Sequence, residues 1–244
     1  MWYARAVDPD TGAPGGTGDL PGGAGAPRSE GPAGLGARLA RWYTEQVVPR
    51  GTDLLLGGRR MQPLRRPTVE QAAGVVVEFG FGSGPNLPLY PPAVTTVLAV
   101  EPSAVARRRA APRLAGRPDL EVRFVGLDGA CVPLPDGVAD TVVSTFTLCT
   151  IPDVAAALAE AARLLRPGGR LLFLEHGRSQ DPRVARRQER LEPWQRRLAG
   201  GCHLTREPAR LVADAGFELE SVQRFRIPGP RVLTEMTRGT ARRP

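Results

Sequence analysis

The sequence predicts an α/β fold built on a mostly parallel sheet, and three observations support this prediction. Short apolar runs rich in β-branched residues recur along the chain. Stretches with apolar residues at helical spacing lie between these runs, and the first run passes directly into a glycine-rich turn. Strands that alternate with helices form βαβ units, which place their strands parallel in one sheet.

The N-terminal part of the chain differs in composition from the rest. Gly, Pro, Ala, Asp and Ser dominate residues 7–36, where large apolar side chains are almost confined to Leu20 and Leu35. Such a segment cannot bury enough surface to offset the entropy lost on ordering. We therefore predict a disordered tail over residues 1–36 and one folded domain over residues 37–244.

The elements of the domain follow in order. Leu39, Trp42, Tyr43 and Val47 recur at helical spacing and predict a first helix. The predicted strands are residues 74–79, 95–100, 121–126, 140–146 and 169–175, and two more are expected between Phe217 and Arg243. A helix capped by Asp153 should stop at Pro167-Gly168-Gly169.

The segment 181–206 has a pattern of its own. Val184, Leu191, Trp194 and Leu198 recur at spacings of three to seven, with arginine on the remaining faces. This pattern predicts an amphipathic helix that caps the sheet. The same segment could also act as a substrate lid.

Composition limits the classes of function. The chain has 244 residues and a net charge of +8, but all 33 basic residues are arginine, and most are scattered. This usage is typical of a GC-rich coding sequence, so we expect no nucleic-acid partner. No apolar run approaches the roughly 18 residues of a membrane helix, and the first residues lack a signal-peptide core. We expect a cytoplasmic protein without stable membrane insertion; its oligomeric state is not indicated.

Cysteine and histidine are rare. Cys131, Cys149 and Cys202 form no CxxC pair, which suits a reducing compartment. Because His176 and His203 are the only histidines, the sequence argues against a structural zinc site, and we predict no metal.

The glycine-rich turn indicates the kind of ligand. It reads Gly80-Phe81-Gly82-Ser83-Gly84 and follows Glu78 at the end of the first strand. A dinucleotide fingerprint needs a third glycine where this chain has Pro85, and no G-K-[ST] follows as in a P-loop. Glu78 would disfavour a pyrophosphate but could help to hold a cationic amino-acid group. The turn therefore favours a cofactor without phosphates.

Two further acidic residues follow the next strands. Glu101 ends the second strand, 23 positions after Glu78, close to the spacing at which a carboxylate meets ribose hydroxyls. Asp128 follows the third strand and could accept a hydrogen bond from an adenine amino group. Taken singly, Glu78 and Asp128 could equally be helix caps or solvated loop charges. Three such residues at successive strand ends favour a nucleoside-binding edge.

From residue 74 to 217 the chain resembles the class I S-adenosylmethionine-dependent methyltransferases. The resemblance rests on Glu78 to Gly84, on Val100-Glu101-Pro102-Ser103, on Leu127-Asp128-Gly129 with the following Leu134-Pro135, and on Leu165-Arg166-Pro167-Gly168-Gly169. It implies a Rossmann-like three-layer sandwich with seven strands, the last one antiparallel, and S-adenosylmethionine as cofactor. The cofactor-binding residues it implies are Glu78, Gly80, Gly82 and Gly84 for the methionine part, Glu101 for the ribose, Asp128 and Gly129 for the adenine, and Asn86 and Pro102 beside these motifs.

Four further stretches resemble particular branches of this class: residues 86–92, 148–151, 175–177 and 201–206. In them the chain is most similar to the ubiquinone/menaquinone-type branch and to alkyl-thiol methyltransferases. Cys149 stands where quinone enzymes commonly have histidine, which counts against a quinone. We expect in-line methyl transfer to a small, largely apolar thiol or hydroxyl acceptor, with His176 and His203 as candidate general bases. Cys149 and Cys202 are expected to be core residues. The alternatives are an NAD(P)-dependent oxidoreductase on a similar sheet and a non-catalytic S-adenosylmethionine-binding module.

Overall fold

The computed structural model describes Leu39, residues 42–126 and residues 128–244. Leu127 and the predicted tail, residues 1–36, lie outside the described residues. Within the described part of the chain, no helix is both long enough and apolar enough to cross a membrane.

Seven strands form a sheet in the order β3-β2-β1-β4-β5-β7-β6. The strands are β1 (Gly74–Phe79), β2 (Val94–Val100), β3 (Glu121–Gly126), β4 (Ala139–Thr145), β5 (Leu165–His176), β6 (Glu218–Arg226) and β7 (Glu235–Arg242). Strands β1 to β5 are parallel to one another, whereas β7 runs antiparallel to β5 and to β6. The predicted mostly parallel sheet with an antiparallel last strand is confirmed.

Helices cover both faces of the sheet and its carboxyl edge. They are α1 (Val48–Leu56), α2 (Gln62–Val69), α3 (Ala104–Arg109), α4 (Ala111–Ala115), α5 (Val154–Leu164), α6 (Pro182–Leu198) and α7 (Pro208–Asp214). A π-helical turn at Tyr43–Val47 precedes α1. Helix α5 begins as predicted, because the Asp153 side chain accepts a hydrogen bond from the Ala156 amide at 2.9 Å.

Alternate residues of each central strand enter opposite cores. On β1, Val77 packs into the core under α5 and α7, whereas Val76 packs into the core on the α2 side. On β5, Phe173 packs into the same core as Val77, and Leu172 packs into the same core as Val76. A strand buried on both faces reads as a continuous apolar run, which explains the lack of alternation in β1. The result is the predicted three-layer sandwich.

The junction between α5 and β5 differs from the prediction. The helix ends at Leu164 rather than at Pro167-Gly168-Gly169, and β5 starts at Leu165. The Gly168 amide donates to the Arg243 carbonyl at 2.9 Å, and the Arg243 amide donates to Gly169 at the same distance. Pairing with a segment more than 70 residues away extends the strand, and local sequence does not reveal it.

The two amphipathic helices at the carboxyl edge bury less apolar surface than their patterns predict. Trp42 and Val47 are exposed on the first helical segment, as are Leu191, Trp194 and Leu198 on α6. The buried residues of α6 are Val184, Ala185 and Gln188. The expected packing of the apolar face of α6 on the sheet is therefore wrong in part, because the end of α6, like α1, lies over the edge of the sheet.

Candidate active site

The order in which successive strands are added to the sheet reverses direction at β1, which has β2 on one side and β4 on the other. Phe79 pairs with Val100 of β2 and with Ser144 of β4, so the three strands end at one level. Ligands of open α/β sheets bind beyond this edge, at such a reversal. A cavity of about 430 Å³ lies there, enclosed by α1, by the loops that follow β1 to β4 and by the end of α6.

Most of the predicted cofactor-binding residues line this cavity. They are Gly80, Gly82, Glu101, Pro102, Asp128 and Gly129. Glu78, Gly84 and Asn86 lie outside its lining. The binding role of each of these residues stays a prediction, but the fold brings the three strand ends together.

The glycine-rich turn requires glycine for two different reasons. Gly80 has φ +68°, and a Cβ at this position would collide with the Thr147 side chain. Gly82 has φ +61° but no close neighbour, so it is backbone conformation that disfavours a side chain there. Both positions keep the backbone close to the cavity.

Glu101 lies at the bottom of the cavity wall. Its Oε2 accepts from the Gly82 amide at 2.8 Å and its Oε1 accepts from the Ser103 amide at 2.7 Å. Burial raises the pKa of the carboxyl, while the two amides lower it. The side chain is 6% exposed, and its remaining lone pairs can accept hydroxyl hydrogen bonds.

Glu78 belongs to a buried polar network behind the turn. Its carboxylate accepts from Asn86 Nδ2 at 2.8 Å and from Tyr90 Oη at 2.7 Å. Burial raises its pKa to about 7, although both hydrogen bonds oppose the rise. Arg65 Nη1 donates to Asn86 Oδ1 at 3.0 Å and to Thr145 Oγ1 at 2.6 Å. Glu78 is therefore connected to the cavity-lining residues Arg65 and Thr145 through Asn86.

Arg65 is a residue that the sequence did not single out. It is 4% exposed, lines the cavity, and its Nε has no hydrogen-bond partner among the described residues. Its guanidinium lies 4.9 Å from the centre of the Phe146 ring. Nothing in its sequence context distinguishes it from the other arginines, because only the packing of α2 brings it to the cavity.

Asp53 of α1 attaches the first helix to the glycine-rich turn. It accepts a hydrogen bond from Ser83 Oγ and forms an ion pair with Arg109 at 2.5 Å. Burial alone would raise the pKa of Asp53, but the bonds from Ser83 and Arg109 lower it below its usual value. Asp53 and Ser83 both line the cavity, so α1 forms its outer wall.

The two histidines have different partners. His203 Nδ1 lies 2.9 Å from Glu192 Oε1, and the Thr205 amide donates to Glu192 Oε2 at 3.0 Å. His176 Nε2 lies 2.6 Å from Cys202 Sγ, which is 3.7 Å from Cys149 Sγ. Neither histidine is part of the cavity lining, although Thr150 and Gly200, close to the two cysteines in sequence, are.

Of the thiol groups of Cys149 and Cys202, that of Cys202 has the lower pKa. Its hydrogen bond with Cys149 lowers the pKa of Cys202 to about 5, and the contact with His176 adds to this despite burial. The same hydrogen bond, together with burial, raises the pKa of Cys149. Burial would lower the pKa of His176, but Cys202 raises it above its usual value. Sequence reasoning treated both cysteines as core residues and missed this grouping.

A sheet of order 3-2-1-4-5-7-6, with a glycine-rich turn after β1 and an acidic residue ending β2, defines a Rossmann-like fold of the methyltransferase type. The family model described as a methyltransferase domain matches residues 77–173. Thiol S-methyltransferase TMT1B of Homo sapiens is 31% identical over 183 residues, which cover 70% of this chain and 74% of the relative. TMT1B of Rattus norvegicus is 34% identical over 145 residues, or 58% of this chain and 59% of that protein.

Among solved structures, geranyl diphosphate methyltransferase in complex with geranyl diphosphate and sinefungin superposes with a TM-score of 0.59 at 15% identity. The match covers 76% of this chain and 80% of that one, and it shows the fold. The chain belongs to the class I S-adenosylmethionine-dependent methyltransferases. The alternative of an NAD(P)-dependent oxidoreductase is not supported.

Proposed function

We propose that this methyltransferase transfers a methyl group to a small, largely apolar acceptor with a thiol group, a hydroxyl being the second choice. The observation that carries the proposal is the apolar wall of the cavity. It is formed by Val48, Leu56, Phe146, Ile151 and Pro152. The names of the relatives, thiol S-methyltransferases, support the thiol over the hydroxyl.

The donor set of the cavity fits S-adenosylmethionine. Glu101 offers carboxylate lone pairs at the end of β2, where a ribose would be held, and Asp128 lies at the adenine side. The buried Arg65 lacks a partner for Nε and would bind the carboxylate of the methionine part. When bound, the cofactor supplies a methyl group already activated on a sulfonium.

The chain's contribution to the reaction is mainly to position and to shield. Phe146 and Ile151 exclude water from the reacting centre, and rigid walls hold the acceptor in line with the methyl group. Such alignment can contribute about 7–11 kcal/mol in favourable cases. The thiol must also lose its proton.

We propose that His203 accepts the proton that the thiol loses. Glu192 is a carboxylate with a lowered pKa, since hydrogen bonds from Thr205 and His203 outweigh its burial. A carboxylate can only accept, so His203 Nδ1 donates the hydrogen, and in the neutral imidazole Nε2 then carries a lone pair. This arrangement is that of an oriented general base.

The segment 181–206 is proposed to act as the lid. Ala199 and Gly200, which follow α6, line the cavity. Tyr43 Oη donates to the Leu198 carbonyl at 2.8 Å, which joins this end of α6 to the turn before α1. The acceptor would enter between these two segments. A cytoplasmic location remains part of the proposal.

Calorimetry and an acceptor panel test the proposal. We expect S-adenosylhomocysteine to bind in the micromolar range, while NAD and NADP show no saturable binding. A panel of thiols, phenols, amines and quinols of matched size, incubated with S-adenosylmethionine, should give methylated product mainly from the thiols. Turnover of quinols or amines without turnover of thiols would contradict the acceptor class, and tight NAD binding would contradict the cofactor.

A further inference from the structure

Three side chains of types that can bind a metal ion meet beside the cavity, and none of them is the proposed base. Cys149 follows β4, His176 ends β5 and Cys202 follows α6. Their ligand atoms all lie within 4.8 Å of one another. Both cysteines are buried, at 3% and 7% exposure. We call these three residues the thiol–imidazole cluster.

The distances in the cluster approach those of a tetrahedral metal site. With zinc–sulfur bonds of about 2.3 Å, two thiolates on one zinc ion are separated by roughly 3.8 Å. The sulfurs of Cys149 and Cys202 are already 3.7 Å apart. His176 Nε2, now 2.6 Å from Cys202 Sγ, would have to withdraw by about 1 Å to reach a tetrahedral position, given a zinc–nitrogen bond of about 2.0–2.1 Å. A zinc ion would require this movement of the His176 ring, which, unlike the two cysteines, is partly exposed.

The segments that carry the two cysteines are held in place independently of any ligand. The His203 amide donates to the Cys149 carbonyl at 2.8 Å and so joins the two segments directly. Glu175 Oε1 accepts from the Leu148 amide at 3.0 Å, and Arg206 donates to the Leu148 carbonyl. Outer contacts of this kind orient the ligands of metal sites.

Glu175 is a buried polar group beside the cluster. It is fully buried, precedes His176 in the chain, and its Oε2 has no hydrogen-bond partner within the described residues. A buried polar oxygen is normally hydrogen-bonded, so this unpartnered oxygen next to the cluster needs an explanation. The exposed Cys131 is not part of the cluster.

From this geometry we propose that Cys149, His176 and Cys202 bind a zinc ion. Two cysteines and one histidine form a ligand set that zinc accepts, and three protein ligands leave a fourth position open. In the sequence, the scarcity of histidine argued against zinc. The site was not visible there because the two cysteines and the histidine are far apart in the chain and come together only in the fold.

The fourth position would take the sulfur of the acceptor, an extension that rests on the proposed function. The three ligands are not part of the cavity lining, but Thr150 and Gly200, one and two residues from Cys149 and Cys202, are, so the cluster lies next to the cavity wall. The acceptor's S–H bond breaks as its sulfur binds zinc, and the proton passes to His203 Nε2. The sulfur then forms a bond to the methyl carbon while the bond from that carbon to the sulfonium breaks, its electron pair staying on S-adenosylhomocysteine. No oxidant or reductant is needed.

Metal binding is tested first, on the full chain, reduced and free of metal. Titration with Co²⁺ should give one equivalent bound, with the visible bands of tetrahedral cobalt and thiolate-to-cobalt charge transfer, and Zn²⁺ should displace it. Cys149→Ser, Cys202→Ser and His176→Gln should each weaken binding by roughly 100-fold or more. Cys131→Ser and His203→Gln are matched controls and should bind Co²⁺ like the wild type.

A second measurement avoids variants that fail to fold. In the Cys131→Ser protein two thiols remain, and Zn²⁺ should protect both from a thiol-modifying reagent. Absence of stoichiometric Co²⁺ binding, equal binding by Cys202→Ser, unprotected thiols, or a Cys149–Cys202 disulfide in protein kept under reductant would each overturn the site.

The role of the fourth position is tested separately. A thiol acceptor should shift the visible bands of the cobalt protein, whereas the hydroxyl analogue of equal size should not. Unchanged bands with bound cobalt would overturn that role. Full-rate thiol methylation by metal-free protein would overturn the role of zinc in the reaction alone, whereas metal binding without thiol methylation would overturn the proposed function alone.

Discussion

The Gly82 amide donates to Glu101 Oε2 at 2.8 Å, and this bond joins the turn after β1 to the end of β2. Glu101 thus has two tasks at one carboxylate: it holds the glycine-rich turn in place and presents its remaining lone pairs to the cavity. Since it is buried, its hydrogen bonds to a ribose would be strong.

Replacing Glu101 by alanine should weaken binding of S-adenosylhomocysteine by about 2–4 kcal/mol, or roughly 30- to 1000-fold, because two charge-assisted bonds to the ribose are lost. Titration calorimetry measures the change. Glu121→Ala, at an exposed site on β3, is the control and should bind normally. A loss below threefold in a folded Glu101→Ala protein would show that Glu101 does not hold the ribose.

Arg65→Gln should weaken binding of S-adenosylhomocysteine by about tenfold or more, since the partner of the amino-acid carboxylate is lost. Methylthioadenosine lacks that carboxylate and should bind the variant and the wild type equally. Comparing the two ligands by calorimetry separates a binding role from a general loss of structure. Equal weakening of both ligands would argue that Arg65 only supports the fold.

The pKa of about 7 for Glu78 predicts an unusual dependence of stability on pH. A carboxyl whose folded pKa is raised binds a proton more tightly when folded, so its stabilising effect is full below about pH 4.5 and is lost as pH rises through 7. The loss should be on the order of 3 kcal/mol. Urea unfolding between pH 4.5 and 8 should show this decline in the wild type and a flatter curve in Glu78→Gln. If the stability of Glu78→Gln fell with pH as steeply as that of the wild type, a group other than Glu78 would be responsible for the decline.

His203→Gln should lower turnover at neutral pH by about 100-fold and leave binding of S-adenosylhomocysteine unchanged, because only proton removal from the acceptor is affected. Glu192→Gln should act in the same direction through the loss of its bond to His203. The deficit should shrink toward pH 10, where a thiol ionises without help. Rates are compared between pH 6 and 10, also for the double variant lacking His176 and His203. A pH–rate profile identical to the wild type would exclude both histidines as the base.

Removal of residues 1–34 should change the melting temperature by only a few degrees, because their composition offers few apolar contacts to the domain. Differential scanning calorimetry of the shortened and full chains decides this. A large fall in melting temperature would show that these residues pack on the domain.

Local rules explain why much of the site could be predicted. A β-branched run that ends in glycines defines β1 and its turn, and Glu101 and Asp128 follow directly from the ends of the next two runs. The strand ends come together through sheet topology, which the alternation of strands and helices already indicates. The cap at Asp153 depends on contacts within one turn of helix.

Other features depend on contacts between distant segments. Glu78 has the spacing of a ligand-binding residue, yet Asn86 and Tyr90 occupy both of its oxygens, and only packing shows this. Arg65 reaches the cavity because α2 lies beside it.

The sequence by itself determined the α/β class, the order of the strands along the chain and the glycine and carboxylate motifs of a methyltransferase, because these follow from local periodicity and short-range spacing. Tertiary structure alone decided that Cys149, His176 and Cys202 lie together and that His203 pairs with Glu192. The physical reason is that such groupings depend on how loops from separate strands and helices pack, and no local pattern in the chain encodes those distances.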